Sequence, residues 1–233
     1  MNVSTQLRIP APGAEESSVA SLFLVPRSSA YTRWIKRALD VVLAVTLLVL
    51  LAPLLVLIVV AIALLLGPGN VIYTQERIGR NGRTFTIYKF RSMLRDRRHA
   101  ASKTSGAVYI GPERRKDHKC PDDPRHRPFG RFLRATSLDE LPQLFNIIKG
   151  EMSMVGPRPE LTAVAKRDGF AYHPRHLTRP GLTGPFQVSP LRSMNRISAG
   201  LHLDVAYVAE VRLGRDMRIL ARTALAPFLR RGS

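Results

Sequence analysis

The chain has 233 residues, 45% of them hydrophobic, and 36 Lys and Arg against 17 Asp and Glu give it a formal net charge of +19. That is enough for one buried core plus an appendage, and the charge calls for an anionic partner, whether nucleic acid, anionic lipid or a phosphorylated substrate. A single cysteine, Cys120, excludes an internal disulfide, and beside Lys116, His118 and Lys119 it cannot complete a zinc site.

Residues 1–30 are rich in Pro, Ser and Ala and read as a disordered tail. Tyr31 and Trp34 suit an interfacial helix, and Lys36, Arg37 and Asp40 then border the 27 residues Val41–Gly67, which carry no charge. As a helix this run is roughly 40 Å long, more than the ~30 Å hydrocarbon core requires, so it is a membrane segment rather than a cleaved signal peptide. Asp40 reads as an interfacial ion pair with Arg37 or Lys36, anchoring the helix at headgroup level. Pro53 removes a helical hydrogen bond near the middle of the run and kinks it. Arg33, Lys36 and Arg37 precede the run and Arg77, Arg80 and Arg83 follow it, which pulls both ends toward the cytoplasm. A helix that dips in and returns satisfies both features; a kinked spanning helix is the alternative.

Val71–Ile78 and Arg83–Phe90 are rich in β-branched and aromatic residues and meet across Asn81-Gly82, which predicts a β-hairpin. Alternation at its end puts Lys89 and Arg91 on one face, where both could reach a phosphate. Arg95–Arg127 reads as a mobile excursion with a short strand at Ala107–Ile110, and His99, His118 and His126 show no metal-binding spacing.

Thr136-Ser137-Leu138-Asp139-Glu140-Leu141-Pro142-Gln143-Leu144-Phe145-Asn146 sets two carboxylates where a helix is expected to begin, since Leu141, Leu144, Phe145 and Ile148 repeat on one face, Pro142 fits a first turn and Gly150 closes the run. Helix-mouth amides would favour ionised carboxylates and a bound phosphate there. Ser137 with Glu140 equally reads as a capping box. Arg134 stands before the acids, and Gly156-Pro157-Arg158-Pro159-Glu160 delivers Arg158 on a stiff turn after them. Leu201–Leu229 has helical periodicity with many arginines and reads as amphipathic helices on anionic lipid, a solvated basic face being the alternative.

Taken in order, Lys36-Arg37-Ala38-Leu39-Asp40, Gln75-Glu76-Arg77-Ile78-Gly79, Tyr88-Lys89-Phe90-Arg91-Ser92-Met93, Thr136–Asn146 with Lys149-Gly150, Met152–Glu160, Arg179-Pro180-Gly181-Leu182-Thr183-Gly184 and Leu203-Asp204-Val205-Ala206-Tyr207 resemble the bacterial sugar transferase family, the small monotopic phosphoglycosyl transferases, over roughly residues 31–225. The resemblance implies an α+β architecture: a tail at 1–30, an interfacial and re-entrant membrane helix at 31–68 and a catalytic domain at 69–233, held at the cytoplasmic face of a bacterial inner membrane. It implies transfer of a phosphosugar from a UDP-sugar to undecaprenyl phosphate through a covalent phosphosugar-aspartyl intermediate, priming exopolysaccharide or O-antigen synthesis with Mg²⁺. On that basis Asp139 is the nucleophile, Glu140 its magnesium-side partner, and Asp204 a weaker second acid for the metal. Lys89, Arg91, Arg134 and Arg158 would offset the repulsion between carboxylate and diphosphate. Arg37, Asp40 and Pro53 would anchor and bend the membrane helix. Nucleic acid is not an expected partner, membrane lipid is, and a homo-oligomer stays open. The chain departs from the family pattern at Ala52-Pro53, where Ser commonly precedes the proline, at Pro185-Phe186, and at Asp123–Arg127, and its length corresponds to the compact form. The rival readings are a membrane-tethered module that binds nucleic acid or anionic lipid without turnover, and a membrane-anchored adaptor.

Overall fold

A computed structural model describes residues 29–94, 127–167, 173–191 and 198–229. The tail up to residue 28, the excursion at 95–126 with its expected strand, and His99, His118, Cys120 and His126 lie outside the described residues. The chain enters through a wide π-type turn, Tyr31–Ile35, into α1 (Lys36–Leu50) and α2 (Ala52–Leu65). The two segments bend by 63°. Leu51, with φ −93° and ψ 3°, is the break, and Pro53 sits in the first turn of α2, where its missing N–H has no helical partner to lose. Among the described residues no single helix is long and apolar enough to cross a membrane, but this bent pair together has the length and apolar composition for it. Val42, Val49, Leu50, Val56, Leu57 and Leu64 are exposed along it, an apolar surface that soluble proteins ordinarily cover.

The start of α1 differs from expectation. Asp40 is buried, accepting from Ser153 Oγ (2.7 Å) and the Met154 amide (3.0 Å), with Lys36 Nζ 3.9 Å away. Lys36 pairs more closely with Asp216 (2.6 Å), and Arg37 forks onto the carbonyls of Ile147 (2.6 Å) and Ile148 (2.8 Å). Asp40 thus keeps the expected ion pair with Lys36 at 3.9 Å, but it is buried and takes backbone and hydroxyl hydrogen bonds that satisfy its carboxylate and bolt α1 to the domain behind it.

β1 (Ile72–Ile78) and β2 (Thr84–Phe90) form the expected antiparallel hairpin, paired from Ile72 with Phe90 to Ile78 with Thr84. Its turn uses left-handed backbone at Asn81 (φ 55°) and Gly82 (φ 75°), the conformation this dipeptide adopts at least cost. β3 (Ser153–Val155) lies apart from this sheet and pairs parallel with β5 (Gly181–Thr183), whereas β4 (Glu160–Leu161) extends the hairpin along the outer edge of β1. Helices α3 (Pro128–Thr136), α4 (Gln143–Lys149), α5 (Thr162–Arg167), α6 (Ser198–Ala209) and α7 (Leu213–Leu229) complete the described chain. One core joins Ala44 of α1 to Ile87, Leu144, Ile147, Met154, Tyr207 and Ile219, and a second joins Ile58 and Ile62 of α2 to Phe90 and Leu133. The C-terminal helices do more than lie on a surface. Asp216 of α7 is buried, accepting from Lys36 and from the Tyr31 and Tyr207 hydroxyls, while Leu213, Met217, Arg218 and Arg222 stay exposed.

At the β3–β5 contact a Cβ on Gly181 would lie 2.1 Å from the Gly156 nitrogen and 2.3 Å from the Thr183 oxygen, both backbone atoms that cannot rotate away. Gly181→Ala is expected to cost about 1–3 kcal/mol of stability, the usual range for overpacking, read as a lower melting temperature.

Candidate active site

The run at 136–146 folds differently from a single capped helix. α3 ends at Thr136, Ser137 turns into the left-handed region (φ 59°), Leu138–Glu140 forms a 3-10 turn, and α4 begins only at Gln143. Ser137 makes no side-chain cap, so the capping box is not formed; its carbonyl instead accepts from the Glu140 amide (3.1 Å). The amides of Leu141, Leu144 and Phe145 are likewise taken by Leu138, Leu141 and Pro142, so these four amides are not open donors for a phosphate.

Cationic side chains converge on the carboxylate pair. Glu140 Oε1 accepts from Lys89 Nζ at 2.7 Å and from Arg158 at 3.3 Å. Burial pushes the Glu140 carboxyl up, but Arg158 and then Lys89 outweigh it and hold the group at about 2. Burial raises Asp139, the adjacent Glu140 charge raises it further, and Lys89, Arg134 and Arg158 offset this only in part, leaving it at about 6. Neighbouring acids pushed in opposite directions signal divided roles: Glu140 a fixed anion, Asp139 a group that stays ionised near neutral pH without being locked in an ion pair. Burial lowers Lys89, with Glu140 opposing the shift, whereas the Glu140 charge raises Arg158. A cleft opens beside this cluster, lined by Arg77, Lys89, Glu140, Gln143, Arg158 and Leu182 among others.

The scaffold accounts for each placement. Asn146, fully buried on α4, accepts from the Tyr88 amide (3.1 Å) and donates to Thr86 O (2.7 Å) and Glu151 (2.6 Å), fixing β2, and with it Lys89, against the acid-bearing turn. Arg175 holds the Arg158 carbonyl (2.9 Å) and pairs with Asp204 (2.8 Å) and Glu160 (3.6 Å). Sequence reasoning did not find Arg175, which lies in the aperiodic stretch His173-Pro174-Arg175-His176, where only the proline gives a local signal.

Two expected phosphate or metal ligands are elsewhere. Arg91 donates to the carbonyls of Gly67 (2.6 Å) and Pro68 (2.9 Å) and so clamps the chain as it leaves α2, because β2 ends at Phe90 and the alternation with Lys89 does not continue. Arg91→Met is expected to lower the melting temperature through two lost carbonyl bonds, about 1–3 kcal/mol. Asp204 is buried on α6 with its carboxylate paired to Arg175. Arg134 remains near the pair, its charge felt by Asp139 and its guanidinium 3.4 Å from the Met93 sulfur.

No group of three or more His, Cys, Asp or Glu that could hold a metal occurs among the described residues. Mg²⁺ that arrives on a diphosphate needs only one or two protein carboxylates. Glu140 fits this, since both of its cationic contacts fall on Oε1.

A family model described as bacterial sugar transferase matches residues 31–230. The undecaprenyl-phosphate galactose phosphotransferase of Salmonella typhimurium is 38% identical over 213 residues, 90% of this chain and 43% of that protein. The exopolysaccharide production protein ExoY of Sinorhizobium fredii is 37% identical, covering 93% of this chain and 97% of its own length. The UDP-glucose:undecaprenyl-phosphate glucose-1-phosphate transferase of Caulobacter vibrioides is 37% identical over 94% of this chain and 75% of its own. The chain thus spans less than half of the Salmonella protein and nearly all of the Sinorhizobium one.

Proposed function

Because the chain belongs to the bacterial sugar transferase family, we propose that it moves a phosphosugar from a UDP-sugar to undecaprenyl phosphate, as the priming step of an exopolysaccharide or O-antigen-type glycan. The observation that carries this reading is the asymmetric pair: Glu140 pinned by Lys89 and Arg158, and Asp139 beside it outside those ion pairs. An Asp139 oxygen attacks the β-phosphorus of the donor, the bond from that phosphorus to the bridging oxygen breaks, and UMP leaves with the bond's electrons. A phosphate oxygen of the polyprenol then attacks the same phosphorus and expels the Asp139 carboxylate, giving a polyprenyl diphosphate sugar. Lys89, Arg134 and Arg158 lower the repulsion between a carboxylate and a diphosphate and stabilise charge spreading over the phosphoryl oxygens. When bound, Mg²⁺ on Glu140 and the donor phosphates would supply further neutralisation.

The bent α1–α2 pair gives the second substrate a reason to meet the first. An isoprenoid phosphate sits at the headgroup layer, so we place α1–α2 in the cytoplasmic leaflet as a re-entrant helix, with Arg37 and Asp40 tying it to the domain and Pro53 at its bend. The exposed arginines and leucines of α7 would meet the same anionic surface. A test is UMP release by protein in detergent or nanodiscs with Mg²⁺, undecaprenyl phosphate and UDP-linked glucose, galactose and N-acetylated sugars. Release from at least one sugar is expected, and silence across the panel would contradict the proposal.

A further inference from the structure

Gln143 is an unused polar group in the cleft beside Glu140. It lines that cleft, is 2% exposed, and its carboxamide makes no hydrogen bond to any described residue. A side-chain amide carries two N–H donors and an acceptor oxygen, and those of Gln143 are not among the buried polar atoms that lack a partner, so they open onto the cleft. Its neighbours are already committed. Lys89 and Arg158 hold Glu140, and Arg77 donates to Pro159 O and to Gln75.

Position adds to this. Gln143 is the first residue of α4, three residues after Glu140 and four after Asp139. Leu141 and Pro142 between them keep right-handed helical dihedrals, so the side chains at this spacing lie on one face. An amide held there faces the cleft beside Glu140.

We propose that Gln143 is a further catalytic residue, its carboxamide N–H donating to a non-bridging oxygen of the phosphoryl group as that group passes from the nucleotide to Asp139 and on to the acceptor. The proposal rests on the phosphosugar-transfer reading given above. Gln143 forms no covalent bond and keeps its protons, so the balance of both half-reactions is unchanged. A neutral donor suits the place: a fourth cation would compete with Lys89 and Arg158 for Glu140, whereas an amide bonds to phosphoryl oxygen without disturbing that triad. Fixed donors aimed at charge that grows during the reaction act on the transition state more than on the ground state.

The test compares wild type with Gln143→Met, which keeps length and bulk but cannot hydrogen-bond, and Gln143→Glu, which keeps shape and puts an anion in place of the donor. Each is assayed with Mg²⁺, several UDP-sugars and undecaprenyl phosphate for kcat, KM, the UMP burst without acceptor, and melting temperature. Gln143→Met is expected to lower kcat about 100-fold, the size of losing one transition-state donor. KM should stay nearly unchanged, the burst and the transfer should slow together for every accepted sugar, and the melting temperature should not fall. Gln143→Glu should lose more. Wild-type turnover in Gln143→Met, a loss confined to one sugar, or a loss that tracks a lowered melting temperature would overturn the proposal while leaving the transfer reading intact. A wild-type protein that releases no UMP from any sugar nucleotide would remove the transfer reading, and this proposal with it.

Discussion

Asp139→Asn should abolish UMP release, with a loss of about 10,000-fold or more, as expected when a covalent nucleophile is removed. The same substitution should raise the melting temperature. Asp139 is lifted to about 6 by burial and by Glu140, well above the ordinary carboxylate value. A carboxyl whose pKa is raised by folding favours the folded protein while protonated, so stability declines as pH climbs from roughly 4 to 6 and the cost is fully present at neutrality. The neutral amide avoids that cost. A variant that is more stable yet inactive separates the catalytic role from a structural one, because a structural acid would lose stability on replacement. The same shift sets the pH dependence: kcat/KM should fall tenfold per unit below about pH 6, where the nucleophile is protonated, and this acid limb should be absent from the residual rate of Asp139→Asn.

The second large effect concerns the cations. Lys89→Met and Arg158→Ala are each expected to lower kcat about 100- to 1,000-fold, the usual cost of losing one group that stabilises transition-state charge. Lys89 and Arg158 share a single oxygen of Glu140. Removing one leaves Glu140 with a single partner, so the second loss should be smaller in that background and the double variant should fall short of the product of the singles. Strict multiplication would mean that the two cations act independently on the substrate.

How far the chain announces this site depends on which forces fix each residue. The hairpin was legible because Asn81-Gly82 is one of the few dipeptides that takes left-handed backbone cheaply, and the strands beside it carry strong β propensity. The bend was legible because Pro53, near the middle of the apolar run, lacks the N–H that a continuous helix needs there, and the chain meets this by starting a new helix with the proline in its first turn. The acids and Arg158 were legible as a motif, but their exact backbone was not: the periodicity of Leu141, Leu144 and Phe145 is common to a helix and to the 3-10 turn that feeds it, so α4 begins two residues later than the pattern implies. Arg91 and Asp204 show the limit most clearly. Each carries the right charge near a motif, but tertiary partners far away in sequence, the Gly67 and Pro68 carbonyls and Arg175, claim them first. β4, with only two residues, has no period to read.

A basic chain places its cations so that Glu140 is locked in ion pairs while Asp139 beside it is left outside them. Glu140 and Asp139 are adjacent in sequence, both carboxylates, and are set apart by what touches them. The most direct measurement is to mix the protein with a UDP-sugar and Mg²⁺ without polyprenol phosphate, quench in acid and map the modified peptide by mass spectrometry. A sugar-phosphate carried on Asp139, formed together with UMP and discharged when undecaprenyl phosphate is added, is the expected result. Full product formation with an unmodified Asp139, or a phosphosugar on another side chain, would contradict it.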